Sequence, residues 1–434
     1  MRKDVMKSLI AMRQREIPFD VKERDMSLPM DRGKIITVPG VRRCGKSTMM
    51  ELTINHLVGE RGVDPKRILW MGFDDERLIG MAATELDDVL AAYMEMYPGI
   101  AIKDVYMFFD EIQLIAGWEF FVLRVYKNYC KNIYVCGSNA TMLSTNLTSA
   151  LRGYPLEYET YPLSFREYCR FTGVNADGYT EQDRASVRRA FDDYNGGSAF
   201  PEVVLTSSPS ERLKMLHAYF DVMLLKDLAE HYKIANTVVV RYFVKRLMAN
   251  LTKPTSINAI YNDIKSQGLR VSKDDLYLWA GYLCDIFLFI KMPRYDRSLI
   301  REQHAFDKYY CIDNGLRSAV LMPQSSDNGK MLENTVFMQL HRCRQPFDKI
   351  TYFRGSGECD FVVQRGERVE QLIQSVWDMN DVDTCKREIA GLLEASDATG
   401  CTNLLIVTHD EEDVIEHNGH TITIVPAARW LLRG

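Results

Sequence analysis

The sequence predicts an α/β protein in which a parallel sheet, covered by helices on both faces, is followed by a helical stretch and a second α/β unit. Three observations carry this. Between Lys34 and Ser138, "KIITVPG", "RILWMGFDD", "DVYMFFDE" and "NIYVCGSN" are short apolar runs, each ending in Gly, Asp or Ser. Helical runs such as Lys46–Val58 and Leu86–Met96 separate them, the alternation that builds parallel strands with crossover helices. From about residue 305 strands and helices alternate again.

The first element, "MRKDVMKSLIAMRQRE", is amphipathic and charged with no long apolar core, so it does not read as a signal peptide. The first sheet runs from Lys34 to about Ser138. After "YPLSFREYCRF", residues 165–250 hold helical patterns and a loop, "NGGSAFPE", marked by its Gly and Pro. Next, "TSINAIYNDIKSQGLRVSKDDLYLWAGYLCDIFLFIKMPRYD" gives a helix, a turn at Gly268, a second helix capped by Ser272, and a strand with a basic tail. That order is the shape of a winged helix-turn-helix over 251–304. The expected division is 1–164, 165–250, 251–304 and 305–434.

Composition narrows the function classes. A chain of 434 residues, 46% hydrophobic and 26% charged, has length for several packed cores. A net charge of −5 excludes coating nucleic acid or membrane by bulk charge alone. The ten cysteines form no CxxC pair, so neither a zinc ribbon nor a disulfide framework is indicated. The most apolar stretch, "LYLWAGYLCDIFLFI", is too short to span a bilayer and is interrupted by Asp285. The expectation is a cytoplasmic protein with reduced thiols and no membrane partner.

Chemistry concentrates in the first sheet. Gly40-Val41-Arg42-Arg43-Cys44-Gly45-Lys46-Ser47, followed by Thr48, satisfies G-x-x-x-x-G-K-[ST], with an apolar strand before it and a helix after it. The glycines let backbone N–H groups turn around phosphate oxygens, and the helix N-terminus adds partial positive charge. Lys46 would neutralise the β- and γ-phosphates of ATP, and Ser47 would hold Mg²⁺. In "VYMFFDE" the strand pushes Asp110 and Glu111 out at the carboxyl edge of the sheet, where such folds bind ligands. Asp110 would bind Mg²⁺, and Glu111 would polarise the attacking water. At the end of "YVCGSNATML", Asn139 would hydrogen-bond the γ-phosphate or that water. Taken singly, each of these is also an ordinary turn or cap; together they form one site.

Together, "VPGVRRCGKSTMM", "FFDEIQ", "GSNATML" and "YPLSFREY" resemble AAA-superfamily ATPases of bacteria and archaea that carry a C-terminal domain of unknown function. "TSINAIYNDIKSQGLRVSKDDLYLW", "KYYCIDNGLRSAV", "LEN" and "ECDFVV" extend the resemblance in the same order over nearly the whole chain. It implies a P-loop NTPase core of AAA type, a helical lid, a winged helix and a restriction-endonuclease-like C-terminal domain. One departure stands out. Members commonly read Leu-x-Gly-Arg where this chain has Leu151-Arg152-Gly153-Tyr154, so a charge-stabilising arginine falls to Arg152 or a neighbour, or is absent.

The resemblance also implies a nuclease-like site. Glu333 and Asp360 stand where its carboxylates belong, but a Glu-x-Lys is replaced by Gln374-Ser375-Val376. An amide is a poor ligand for a hard cation and Val376 cannot orient hydroxide, so the site reads as degenerate unless Lys386 or Arg387 substitutes. The winged helix has two readings. Arg270, Lys273, Lys291, Arg294, Arg297 and Arg301 favour DNA, whereas Asp274 and Asp275 at the start of its second helix favour docking to protein. The C-terminal domain would then grip a protein partner. Three functions follow in order: an ATPase whose cycle repositions the C-terminal modules, a non-hydrolysing ATP-dependent binding module, and an ATP-regulated nuclease.

Overall fold

The computed structural model describes residues 2–137, 153–296, 298, 301–302, 305–322 and 327–433. The chain forms two compact units: residues 1–161 with 285–287, and residues 162–284 with 288–434.

In the first unit, helix α1 (Arg2–Arg15) precedes strand β1 (Ile35–Pro39), helix α2 (Lys46–Gly59), strand β2 (Ile68–Gly72) and helix α3 (Asp87–Met96). Strand β3 (Tyr106–Asp110), helix α4 (Trp118–Asn128), strand β4 (Ile133–Gly137) and strand β5 (Pro155–Glu157) complete it. The sheet order is β2-β3-β4-β1-β5, with every pair parallel. All four strands expected from sequence are present. The short β5, with only three residues and no apolar run, is an addition.

Both faces of this sheet are buried, and strand alternation sorts its side chains between two cores. Ile35, Leu69, Met71, Met107, Phe109, Ile133 and Val135 pack with residues of α1, α3 and α4 on one face. Ile36, Val38, Ile68, Trp70, Tyr106, Phe108 and Tyr134 pack with α2 on the other. Phe108 stacks on Tyr134 with ring centroids 4.5 Å apart, and each such fully buried ring contributes on the order of 2–3 kcal/mol. The sheet is thereby a rigid base for whatever projects from its carboxyl edge.

The second unit opens with helices α5 (Phe165–Thr172), α6 (Glu181–Gly196), α7 (Pro201–Leu205) and α8 (Pro209–Val222). A π-helical segment (Met223–Glu230) continues from α8, and α9 (Thr237–Ala249) follows. Ser164 and Glu167 form a reciprocal capping box at the start of α5, as "LSFRE" encodes. Helices α10 (Ile257–Ser266) and α11 (Lys273–Asp285) flank the turn at Gly268, where φ is +75°. Strand β6 (Phe289–Met292) pairs antiparallel with β7 (Lys308–Cys311). Helix α12 (Asn314–Val320) leads into the C-terminal sheet.

That sheet is built from helix α13 (Asn328–Cys343), strands β8 (Asp348–Arg354), β9 (Glu358–Arg365) and β10 (Arg368–Val376), helix α14 (Val382–Thr399) and strand β11 (Leu404–Thr408). Strands β12 (Asp413–His417) and β13 (His420–Pro426) and helix α15 (Ala427–Arg433) end the chain. The order is β12-β13-β11-β10-β9-β8, antiparallel from β8 through β10 and parallel from β10 to β11 to β13. The "VVQRGERVE" stretch is a hairpin of β9 and β10, turning at Gly366 with φ +61°.

A buried amide network ties α6, α12 and α13 together. The Asn314 amide donates to the Asn195 and Met331 carbonyls, and Asn334 donates to the Cys311 carbonyl and to Asn314. Thr335 closes the set on the Asn195 side chain at 2.8 Å. Such groups are costly to bury unless each is paired. Among the described residues no helix is long and apolar enough to cross a membrane, and all ten cysteines are free thiols.

Candidate functional site

The loop between β1 and α2 is shaped by two backbone demands. Gly45, the residue before α2, sits at φ +98° and offers no side-chain cap, so the first-turn N–H groups of α2 face outward without an internal acceptor of that kind. A Cβ on Gly40 would lie 2.2 Å from the carbonyl oxygen of Thr160, so only glycine lets the loop run beside β5's exit. Cys44 is buried, with Sγ 3.3 Å from the Thr160 carbonyl, and burial pushes its thiol up. It is a packing residue of the loop. Arg24 fastens the loop from outside by donating to the Cys44 and Tyr161 carbonyls at 3.0 and 2.9 Å. The buried Lys46 turns back to donate to the Val41 carbonyl at 3.0 Å.

Strand register brings the acidic pair to this loop. β4 lies between β3 and β1, and Cys136 is opposite both Asp110 and Val38. Burial pushes the Asp110 carboxyl up. The hydrogen bond from the Cys136 thiol and the nearby Ser47 hydroxyl oppose that, while the charges of Glu111 and Asp74 reinforce it. The thiol of Cys136 is 2.6 Å from Asp110 Oδ1 and feels Lys46 and Glu111 as well, so the four candidates converge on the end of β4. Glu111 holds a left-handed conformation, φ +51°, and its N–H donates to the Cys136 carbonyl at 3.0 Å. Gln113, almost wholly buried, donates to the Glu111 carboxylate. Beside them, a cleft of about 390 Å³ is lined by Asp74, Asp75 and Asp110 with Trp70 and Arg13.

Glycines at the turns, a lysine within reach of the loop, and a hydroxyl facing a partly buried carboxylate form a donor set that fits a Mg²⁺–nucleotide. Sequence reading missed Asp74, Gln113 and Cys136. Asp74 carried a signal, since "GFDD" is a second acidic strand end in the same sheet; the other two are visible only through register.

Asn139, Arg152 and Arg297 lie outside the described residues. Tyr154, where the resembled proteins have arginine, packs against Tyr126 with ring centroids 4.9 Å apart. On the helix-turn-helix, Lys291 pairs with Asp307 at 3.4 Å and Arg301 with Asp296 at 3.4 Å, and Arg294 donates to the Arg354 carbonyl. The basic tail is therefore largely engaged within the chain. Tyr277 and Leu278 of α11 are about half exposed.

In the second unit, Glu333 of α13, Asp360 of β9 and Gln374 of β10 do come together, lining a cleft of about 620 Å³ with Glu358, Arg387 and Glu388. Lys386, the other candidate substitute, is exposed. Gln374 accepts from the Asp360 N–H at 3.0 Å and donates to Glu388. Burial pushes the Glu388 carboxyl up, and the Arg387 charge opposes it. At the floor stands Lys308, fully buried, which sequence reading passed over although it is the lone charge opening "KYYC". Burial opposes its charge, and Glu333, Asp360 and Glu358 outweigh burial, so it is held as an ammonium.

Comparison with known proteins agrees with the first unit's geometry. Residues 32–169 match the family described as "AAA domain", and residues 188–327 match a domain of unknown function (DUF8612). The uncharacterized protein MJ1544 of Methanocaldococcus jannaschii is 28% identical over 95% of this chain and 91% of its own length. An uncharacterized protein of Haemophilus influenzae is 26% identical over 78% of this chain and 82% of its own. Solved structures align at low scores: Aeropyrum pernix ORC1 in complex with DNA at TM-score 0.28, 11% identity and 72% and 91% coverage of this chain and that one, and C. elegans PCH-2 at TM-score 0.25, 15% identity and 50% and 62% coverage. The stretch bearing Lys46, Ser47, Asp110 and Glu111 thus lies within a region similar to the AAA domain.

Proposed function

We propose that the protein is a Mg²⁺-dependent ATPase. The observation that carries this is the approach of the Ser47 hydroxyl, in the first turn of α2, to the partly buried Asp110 at the end of β3, where it helps hold that carboxyl down. A P-loop hydroxyl and a strand-end carboxylate facing each other are the two protein groups that a nucleotide-bound Mg²⁺ requires.

Mg²⁺–ATP, when bound, supplies the electrophilic γ-phosphate and the divalent charge that stabilises its transfer. The chain's own residues do the rest. Backbone N–H groups from Val41 to Lys46 would cradle the phosphates, and Lys46 would exchange the Val41 carbonyl for phosphate oxygens. Glu111 would accept a proton from the attacking water. Its strained backbone and its bond from Gln113 fix the carboxylate's aim before any substrate arrives.

The nucleotide state would in turn alter what the helix-turn-helix and C-terminal modules bind, with protein favoured over DNA because the tail cations already have partners. The test is to measure ATP binding and turnover in Lys46→Ala and Glu111→Gln. Lys46→Ala should weaken binding at least about 100-fold. Glu111→Gln should bind normally and turn over about 100-fold more slowly or worse. Turnover at the wild-type rate in Glu111→Gln would remove Glu111 as the base.

A further inference from the structure

The carboxylates in the second unit's cleft surround a single point, and that point is occupied by the chain itself. Lys308 Nζ lies 2.9 Å from Glu333 Oε1, 2.7 Å from Glu358 Oε1 and 3.4 Å from Asp360 Oδ1. Three oxygens from a helix and one strand converging on one centre is how a protein holds a small hard cation. Here the centre is an ammonium delivered from β7, wholly excluded from solvent.

Most of the neighbouring oxygens are engaged as well. Asp360 Oδ2 accepts from both the N–H and the hydroxyl of Ser375, at 3.0 and 2.7 Å. Glu333 Oε1 takes a second bond from Tyr310 at 2.8 Å, and Arg354 lies 3.5 Å from Glu358 Oε2. Glu388 is held by Gln374 and Arg387. Among the described residues no group of three or more His, Cys, Asp and Glu side chains is arranged to hold a metal ion.

We propose that the Lys308 ammonium stands in for a divalent cation at the Glu333–Glu358–Asp360 cluster, closing a latent metal site. The closure is a matter of geometry and charge together. A lysine brings one positive charge where a divalent ion brings two, and it offers no open coordination position for a phosphate oxygen or water. The cleft can therefore be lined like a metal-dependent hydrolase site and yet hold no metal. Restoring Glu and Lys at positions 374 and 376 would not by itself open it. This proposal is independent of the ATPase reading, since none of its residues belongs to the first unit.

The experiment is a Mn²⁺ titration of the full chain, followed by calorimetry and by electron paramagnetic resonance of free Mn²⁺. It compares the wild type, Asp360→Asn, Lys308→Met, Lys308→Arg, and Lys308→Met combined with Asp360→Asn. The wild-type and Asp360→Asn isotherms should coincide, because the cluster takes no metal while Lys308 fills it. Lys308→Met should gain one Mn²⁺ site at least about tenfold tighter than any the wild type shows in the cleft. That site should vanish in the double variant, and Lys308→Arg should not acquire it. A wild-type site abolished by Asp360→Asn would overturn the proposal, as would a folded Lys308→Met that gains nothing. Should Lys308→Met fail to fold, Lys308→Gln takes its place, and the wild-type comparison with Asp360→Asn still decides whether the site is closed. Plasmid cleavage by the wild type in Mn²⁺ that disappears in Asp360→Ala would equally sink it.

Discussion

Gln113 donates through its side-chain amide to the carboxylate of Glu111, two residues earlier, at the end of the strand that carries the acidic pair. The amide is buried, and its own oxygen packs where a side chain on Gly137 would stand. If Glu111 is the base of the proposed ATPase, Gln113 acts through it as a positioning residue. Gln113→Ala should lower kcat about tenfold while leaving KM for ATP within about twofold, because binding uses the loop and not this carboxylate. Steady-state kinetics with a melting curve on the same sample checks this. A parallel rise in KM would mean that the substitution disturbed the loop instead.

The close approach at Gly40 gives a second expectation. Alanine there would drive Cβ into the Thr160 carbonyl, backbone against backbone, where neither side can rotate away. Gly40→Ala should destabilise the first unit by about 1–3 kcal/mol and weaken nucleotide binding together with it. Gly62→Ala, with φ +64° and open space around it, carries the backbone strain without the collision and separates the two costs. Chemical denaturation of both variants measures the difference.

Duplex DNA should bind the helix-turn-helix no more tightly than the micromolar range even at low salt. Lys291 and Arg301 are already paired, and the first turn of α11 presents Asp274 and Asp275. Arg294→Glu should leave fluorescence anisotropy of a labelled duplex unchanged. A steep salt slope that flattens in Arg294→Glu would instead place DNA on this module.

Stability should depend on pH through Asp313, which caps α12 with its carboxylate wholly buried. Burial pushes it up to about 6, against bonds from the Ala199 and Leu316 N–H groups that pull it down. The folded state therefore holds a proton that the unfolded chain releases nearer 4, and stability falls as pH rises through that window. The decline should be on the order of 1–3 kcal/mol and should flatten in Asp313→Asn. Denaturant midpoints at pH 4.5 and pH 7, as about the two ends of the window, decide it.

Four of the five strands of the first sheet were legible because each is a buried parallel strand, written as a mostly apolar run that stops at a Gly, Pro or Asp. The glycine-bearing loop after β1 and the strand end at Asp110 could be placed for the same reason, since both are local features. What could not be read is what register brings across strands. Cys136 beside Asp110 and Lys308 beneath Glu333 and Asp360 are separated by 26, 25 and 52 residues from those partners. The nuclease-like pattern illustrates the limit. Its residues do converge, but the cation at their centre comes from a strand outside the pattern. The short edge strand β5 went unseen because three partly or fully exposed residues carry no periodicity.

The amide network that joins Asn195, Asn314, Asn334 and Thr335 bears on where this chain can be cut. A fragment beginning near residue 305 would keep the whole C-terminal sheet yet leave the Asn314 and Thr335 groups without the Asn195 acceptors they now share. Each orphaned group costs about 1–3 kcal/mol in a dry interior, enough to turn an autonomous-looking domain into an aggregating one. A fragment beginning near residue 162 retains both partners of every bond in the set. Helix α6, which reads from the sequence as part of a lid, is in this sense the missing wall of the fold that follows it.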